Sequence, residues 1–216
     1  MSNLDRARRR IAVLTSIGAL LAAAASPLSA TAAADQPTGP LAAEMRSLLK
    51  LQPGGLQVSD NALVWEATGT VVVWPSPGER VAPKGLGHNV RRDTARRVGV
   101  EALADYSPDS VQDVHGCPSG ITVKDYYCFY TDINWGGRRL QFTGATAYGE
   151  ARDWGFDNQT SSWVNTDSNV NVHVYDGVVT FEWLLWNMPE NSVSSYVGNS
   201  VNDRMGSWRS CPSPIC

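Results

Sequence analysis

The sequence predicts an all-β sandwich in its C-terminal hundred or so residues, preceded by a small α+β module of one helix plus a hairpin. Three observations carry this. After Cys117 the texture runs strand, turn, strand through YYCFY, RRLQF, SSWVN, NVHVYD, VVTFEWLLW, SSYVG and GSWRS. These runs alternate and are punctuated by Gly and Asn, with almost no helical period. Sixteen of the nineteen Phe, Trp and Tyr residues lie between Cys117 and Cys216; only Trp65, Trp74 and Tyr106 come earlier. The packed core therefore belongs to that segment, and two packed sheets are the economical way to bury so many rings.

The chain opens with Asp5, Arg6, Arg8, Arg9 and Arg10, enters the apolar run IAVLTSIGALLAAAA, and leaves through SPLSATAAADQP. A charged start, an apolar stretch short for a membrane span and an Ala-x-Ala exit predict a cleaved secretory signal over residues 1–34, hence a secreted, extracellular protein. A retained anchor is the alternative. Removal of that segment leaves 14 basic against 20 acidic side chains, which excludes nothing about fold but argues against a nucleic-acid partner. No second long apolar run follows, so no stable membrane insertion is expected after cleavage.

Residues 35–80 read as the helix-hairpin module. LAAEMRSLLKLQ sets Leu41, Met45, Leu48 and Leu49 on one helical face, and PGG at 53–55 ends it. LQVSDNALVWEATGTVVVWPSPGE follows as short strands with turns at SDN and ATG, stopped by Pro75 and Pro77. From 81 to 116 the pattern fades into Gly, Pro and the pairs Arg91-Arg92 and Arg96-Arg97, which suits an exposed linker whose arginines are solvated or protease-sensitive. The β domain occupies 117–216. The module itself reads equally as a propeptide, a folding aid or a second binding unit.

Four cysteines, Cys117, Cys128, Cys211 and Cys216, allow three pairings in an exported protein. The short spacings favour Cys117 with Cys128 and Cys211 with Cys216. A zinc site is the competing reading, and no histidine sits at ligand spacing.

Within CFYTDINWGGRRLQF, Tyr130 and Trp135 bracket a turn over which the two rings can stack, and Gly137 supplies the backbone angles of a folded-over hairpin. This Tyr-x-x-x-x-Trp-x-Gly pattern resembles the Greek-key signature of the βγ-crystallin fold, and so implies a double Greek-key sandwich. In that family a later serine closes over the hairpin; Ser161 or Ser162 fills the place, with Ser162 the candidate. Asp157-Asn158-Gln159-Thr160-Ser161-Ser162 is similar to the (Asn/Asp)-(Asn/Asp)-x-x-(Ser/Thr)-Ser calcium motif of microbial members. The resemblance implies calcium held through Asp157, Asn158 and Ser161, with Asn202 and Asp203 of the second run NDRMGS. Gly206 stands there in place of a hydroxyl, which puts one of the two paired sites in doubt. The second aromatic signature is eroded too: Tyr175 is kept, Thr180 and Glu182 replace the ring and the glycine, and Gly177 comes early. Without any metal, Asx and Ser side chains of this kind simply hold tight turns through their own backbone.

A closer resemblance spans most of residues 45–216. CPSG, the Cys-aromatic-Tyr strand, the turn Trp135 to Arg138, Asn202 to Arg204 and the leader Pro53 to Trp74 are similar to secreted actinomycete proteins of the peptidase inhibitor family typified by Streptomyces metalloproteinase inhibitor. This implies a binding protein that presents a rigid loop to a secreted protease, with no enzymatic activity. The alternative it leaves open is a calcium-binding extracellular structural module without inhibition; a toxin or surface-interaction protein on the same fold is a third.

No catalytic constellation emerges. His88, His115 and His173 lack Ser, Cys or carboxylate partners at a recognised spacing. His173 falls in an alternating strand as a surface or half-buried side chain. Glu150, Asp153 and Asp157 are near one another in sequence, yet nothing marks a cleft between opposed carboxylates. The stripe Phe181, Trp183, Leu184, Leu185 and Trp186 reads as core, and Asn158-Gln159-Thr160 is a glycosylation sequon.

Overall fold

The computed structural model describes residues 36–84, 112–119, 126–145, 148–177 and 183–213. The expected signal over 1–34 and the arginine pairs at 91–97 lie outside them. Helix α1 (Ala42–Leu51) buries Met45 and Leu48 beneath its apolar face, with Leu41 at its start. The antiparallel strands β1 (Leu56–Ser59), β2 (Ala62–Trp65) and β3 (Thr70–Val73) follow, turning at SDN and ATG. The leader thus makes a three-stranded meander. Trp65 meets Trp154 edge to face at 5.0 Å and donates its indole N–H to the Gln52 carbonyl at 3.2 Å.

The short pair β4 (Gln112–Val114) and β5 (Cys117–Ser119) precedes two runs of four strands. The first run is β6 (Tyr126–Tyr130), β7 (Arg139–Thr143), β8 (Gly149–Glu150) and β9 (Ser162–Asn165). The second is β10 (Val170–Asp176), β11 (Trp183–Met188), β12 (Ser192–Ser194) and β13 (Ser207–Pro212). One sheet has the order β1-β2-β3-β7-β6-β9-β12 and the other β11-β10-β13-β8. Each run keeps three strands in its own sheet and lends its third, β8 or β12, to the opposite one. That exchange defines two interlocked Greek keys, so the fold is the all-β double Greek-key sandwich that the signature implied.

The leader continues the first sheet. β3 pairs antiparallel with β7, Val72 facing Leu140, and all four residues of β3 are buried. A TVVV strand covered on both faces needs a neighbour on each edge, and β7 supplies the second. The described ends of the segment expected as linker also lie against this sheet: Val81 bridges Gly137, Ala82 is buried, and β4–β5 lies beside β6.

Between the sheets, Tyr127, Phe129, Leu140, Phe142, Val172, Val174, Met188 and Trp208 form the main core, with Phe142 and Trp208 at 4.7 Å. The other face of the first sheet buries Val71, Val73, Cys128, Tyr130 and, fully, the polar Arg139 and Gln141. Arg139 donates to Gln141 Oε1 at 2.5 Å and to the Pro83 carbonyl at 3.0 Å. Cys117 is joined to Cys128 with a Cα separation of 5.9 Å. Cys211 is also disulfide-bonded, whereas Cys216, its expected partner, lies outside the described residues.

Two sequence expectations are corrected. Trp183 is 79 % and Leu184 52 % exposed, and Leu185 and Trp186 are half-buried, so the stripe is not core; Phe181 lies outside the described residues. β11 is an edge strand, and a register shift between Val174 and Tyr175 turns its first residues outward while Met188 is buried. The strand placed at SSYVG instead ends at Ser194, where the Ser194 hydroxyl turns to the Tyr196 carbonyl at 2.8 Å.

Candidate functional site

The turn between β6 and β7 folds back over the sheet. Thr131 N–H donates to the Arg138 carbonyl and Asp132 N–H to that of Gly136, each at 3.1 Å. Asn134 and Trp135 both adopt left-handed backbone, with φ of 55° and 58°. Gly137, at φ 70°, is required twice over, since a Cβ there would lie 1.9 Å from Thr131 Oγ1 and 2.7 Å from Asp132 Oδ1. Ser162 Oγ closes the fold, donating to the Asp132 carbonyl at 2.6 Å and accepting the Trp135 N–H at 3.0 Å. The Trp135 ring stacks on His115, 3.3 Å away and 6° from parallel, rather than on Tyr130. Tyr130 points instead into the buried cluster with Cys117 and Cys128, and its hydroxyl donates to the His115 carbonyl at 3.1 Å. Burial raises the Tyr130 phenol well above its ordinary range. His115 is held below the ordinary imidazole range by burial and then by Lys84, with Asp113 opposing. The turn at 113–117 and the hairpin at 131–137 are therefore braced against each other, with Ile133 exposed at the tip.

The two polar runs cross. Their contacts come in pairs offset by 45 residues, as Asn158 is from Asp203. Asn158 N–H donates to the Met205 carbonyl at 3.0 Å, and Asp203 N–H to that of Thr160 at 3.2 Å. Ser161 N–H reaches the Tyr130 carbonyl as Gly206 N–H reaches that of Tyr175, both at 2.9 Å. Ser207 Oγ donates to the Gly177 carbonyl at 2.5 Å, matching Ser162 on Asp132. Asn158 and Asp203 share left-handed backbone, at φ 54° and 55°.

The side chains break this symmetry. Ser161 Oγ donates to Asp203 Oδ1 at 3.3 Å, and Asn202 Nδ2 to Asp203 Oδ2 at 2.7 Å. In the other half Asn158 only bonds to Asp157 Oδ2, at 3.1 Å, and Gly206 offers no hydroxyl. A Cβ on Gly206 would sit 2.5 Å from Gly177 N. So Ser161, Asn202 and Asp203 are brought together, while Asp157 and Asn158 pair separately. Calcium takes six to eight oxygens. The first half gathers a carboxylate and a hydroxyl, with the Asn202 Oδ1 next in sequence buried without a hydrogen-bond partner among the described residues, three oxygens in all. The second half, Asp157 and Asn158, has no hydroxyl at Gly206 to add to them. Among the described residues no cluster of three His, Cys, Asp or Glu could hold a metal.

Beside the crossed runs opens a cleft of about 690 Å³ lined by Trp74 of the leader, Thr131, Asp132, Arg138, Asn158 and Asp203. Arg138 lies over the Phe156 ring at 4.5 Å and gives Nη2 to the Gly155 carbonyl and, at 2.9 Å, to Gln159 Oε1. The sequence marks Arg138 only as part of the turn, because neither Phe156 nor Gly155 is close to it in sequence. The other candidates considered for chemistry stay apart. Glu150 is engaged by Arg152 and Tyr148, and His173 by Tyr175 Oη at 3.4 Å. His88 lies outside the described residues.

The hairpin and most of the turn fall in a stretch that matches a family model. Residues 115–180 match the model of peptidase inhibitor family I36. That family is one of inhibitors rather than enzymes. No curated protein matches the sequence. Among solved structures, the protein is similar to a βγ-crystallin domain from Clostridium beijerinckii, at 22% identity over 39% of this chain and 95% of that one, with a TM-score of 0.34. A βγ-crystallin domain from Flavobacterium johnsoniae is 16% identical over 42% and 98%, also at 0.34. The N-terminal domain of protein S is 14% identical over 42% and 99%, at 0.35.

Proposed function

We propose that this protein is an extracellular peptidase inhibitor that presents the braced rim, the turn at 113–117 and the hairpin at 131–137, to the cleft of a secreted peptidase. The observation that carries the reading is the inhibitor-family match over residues 115–180, a window that contains the hairpin and most of the turn. The disulfide, the His115–Trp135 stack and the Ser162 clasp support it, because a loop already fixed in its bound shape loses little entropy on docking. No helix among the described residues is long and apolar enough to cross a membrane. We read 1–34 as the export signal, 35–80 as a leader, 81–116 as its connection and 117–216 as the inhibitor domain.

The test is titration of secreted metallo- and serine peptidases with the oxidised full-length protein. Inhibition should be stoichiometric, unaffected by added calcium, and leave the inhibitor intact. Ile133→Glu should weaken it by about tenfold or more without lowering the melting temperature. Full activity of every peptidase at an excess of the protein would end this reading.

A second reading, a calcium-stabilised extracellular module, is favoured by the Ser161–Asp203 pair beside the unsatisfied Asn202 Oδ1. Bound to the folded state alone, a cation stabilises it by mass action. Millimolar calcium should then raise the melting temperature relative to EDTA, and Asp203→Asn should abolish the rise. Gly206→Ser should not create a second site, because Gly177 stands in the way of its Cβ. Equal melting curves in calcium and EDTA would leave the crossed runs as turns only.

A further inference from the structure

Arg138 carries a charge that no carboxylate among the described residues pairs with. Its guanidinium is partly buried, and burial alone lowers its pKa from the ordinary value. Among the described residues no carboxylate lies within ion-pairing distance of it. Both hydrogen bonds of its side chain use Nη2; Nε and Nη1 make no hydrogen bond with the described residues. Stacking on Phe156 and the bonds to Gly155 and Gln159 fix the plane of the group. A fixed, partly desolvated cation with open donors at a cleft wall is a preorganised anion receptor.

The rest of the cleft narrows the anion. Asp132 and Asp203 line the same space, so a dianion such as phosphate would meet two like charges. A single carboxylate on a molecule that also carries a cation suits all three groups. Trp74 adds an aromatic wall contributed by the leader.

We propose that this cleft recognises a carboxylate on a basic peptide, the carboxylate held by a single open N–H of Arg138, at Nη1 or at Nε, and the peptide's cation drawn to Asp132 and Asp203. The carboxylate has two sources, the peptide's own C-terminus or an acidic residue within it. Neither requires a peptidase, so the site stands or falls separately from the inhibitor reading.

The experiment is an NMR titration of the ¹⁵N-labelled oxidised full-length protein with three peptides: acetyl-Ala-Ala-Lys as free acid, its C-terminal amide, and acetyl-Ala-Glu-Lys-amide. The free acid should shift the Arg138 Nε–H and the Gly155 and Gln159 amides saturably. Its amide should bind about tenfold more weakly or worse, since a charge-assisted bond is lost. Comparable binding by the glutamyl peptide would assign the carboxylate to an acidic residue; weak binding would assign it to a C-terminus. Either result retains the site. Arg138→Gln should abolish the shifts at Gly155 and Gln159, and if that variant does not fold, the acid-against-amide comparison on the unaltered protein decides. No saturable shift with either carboxylate peptide, or equal binding of all three peptides, overturns the proposal.

Discussion

Gly137 shows how much a single position can fix. Its left-handed backbone and the 1.9 Å approach to Thr131 Oγ1 leave no place for a methyl group. Gly137→Ala should therefore cost about 2 kcal/mol or more, read from the urea midpoint at unchanged slope. The histidines give a second prediction. His115 and His173 are both lowered from 6.5, each first by burial, then by Lys84 and by Arg209 respectively. The unfolded protein thus takes up these protons first. Their contribution to stability is present above the unfolded value of 6.5 and is lost as pH falls below it. Imidazole NMR titrations should place both midpoints below 6.5, and His115→Asn, which tolerates left-handed backbone, should flatten part of the acid-side fall in melting temperature. The glycine was legible in the sequence because its constraint is local, set by residues five and six positions earlier. The His115 stack and the seat of Arg138 were not, because each depends on contacts between segments that only the fold brings together.

At the scale of elements, β3 decides what counts as the domain. It fills the edge of β7, and Trp65 behind it packs against Trp154. A fragment of residues 117–216 should accordingly melt roughly 10 °C or more below the full-length protein and self-associate, as an open hydrophobic edge invites. Calorimetry and size-exclusion chromatography would check both; a monomeric fragment of full stability would show the leader to be dispensable. The sequence did carry a sign of this. TVVV does not alternate, and an unbroken apolar strand is the mark of burial on both faces. The WLLW stripe misled for the opposite reason, because a register shift at an edge strand reverses what apolar composition suggests. β8, with two residues, is too short to leave any periodic trace.

For the whole molecule, the exchange of β8 and β12 makes each sheet depend on both keys, so unfolding should be a single transition. The Cys117–Cys128 link closes a short loop beside the rim. Its removal by Cys117→Ala with Cys128→Ala should lower stability by roughly 2–3 kcal/mol on the loop-entropy account, measured by denaturant titration. The sandwich was readable from aromatic spacing and turn residues, and the paired keys from one signature and its faded copy. The crossing of the polar runs was readable only in part. Loss of the hydroxyl at Gly206 is visible in sequence, but the obstruction by Gly177 is a property of the packed backbone. The β3–β7 pairing also sets an order in time. Synthesis runs from the N-terminus, so α1 and the β1–β3 meander, built from neighbours in sequence, are complete before Leu140 arrives to face Val72. Should folding follow that order, the leader would present one open edge on which the first key assembles, and pulse-labelled hydrogen exchange should then protect the β2 amides before those of β6.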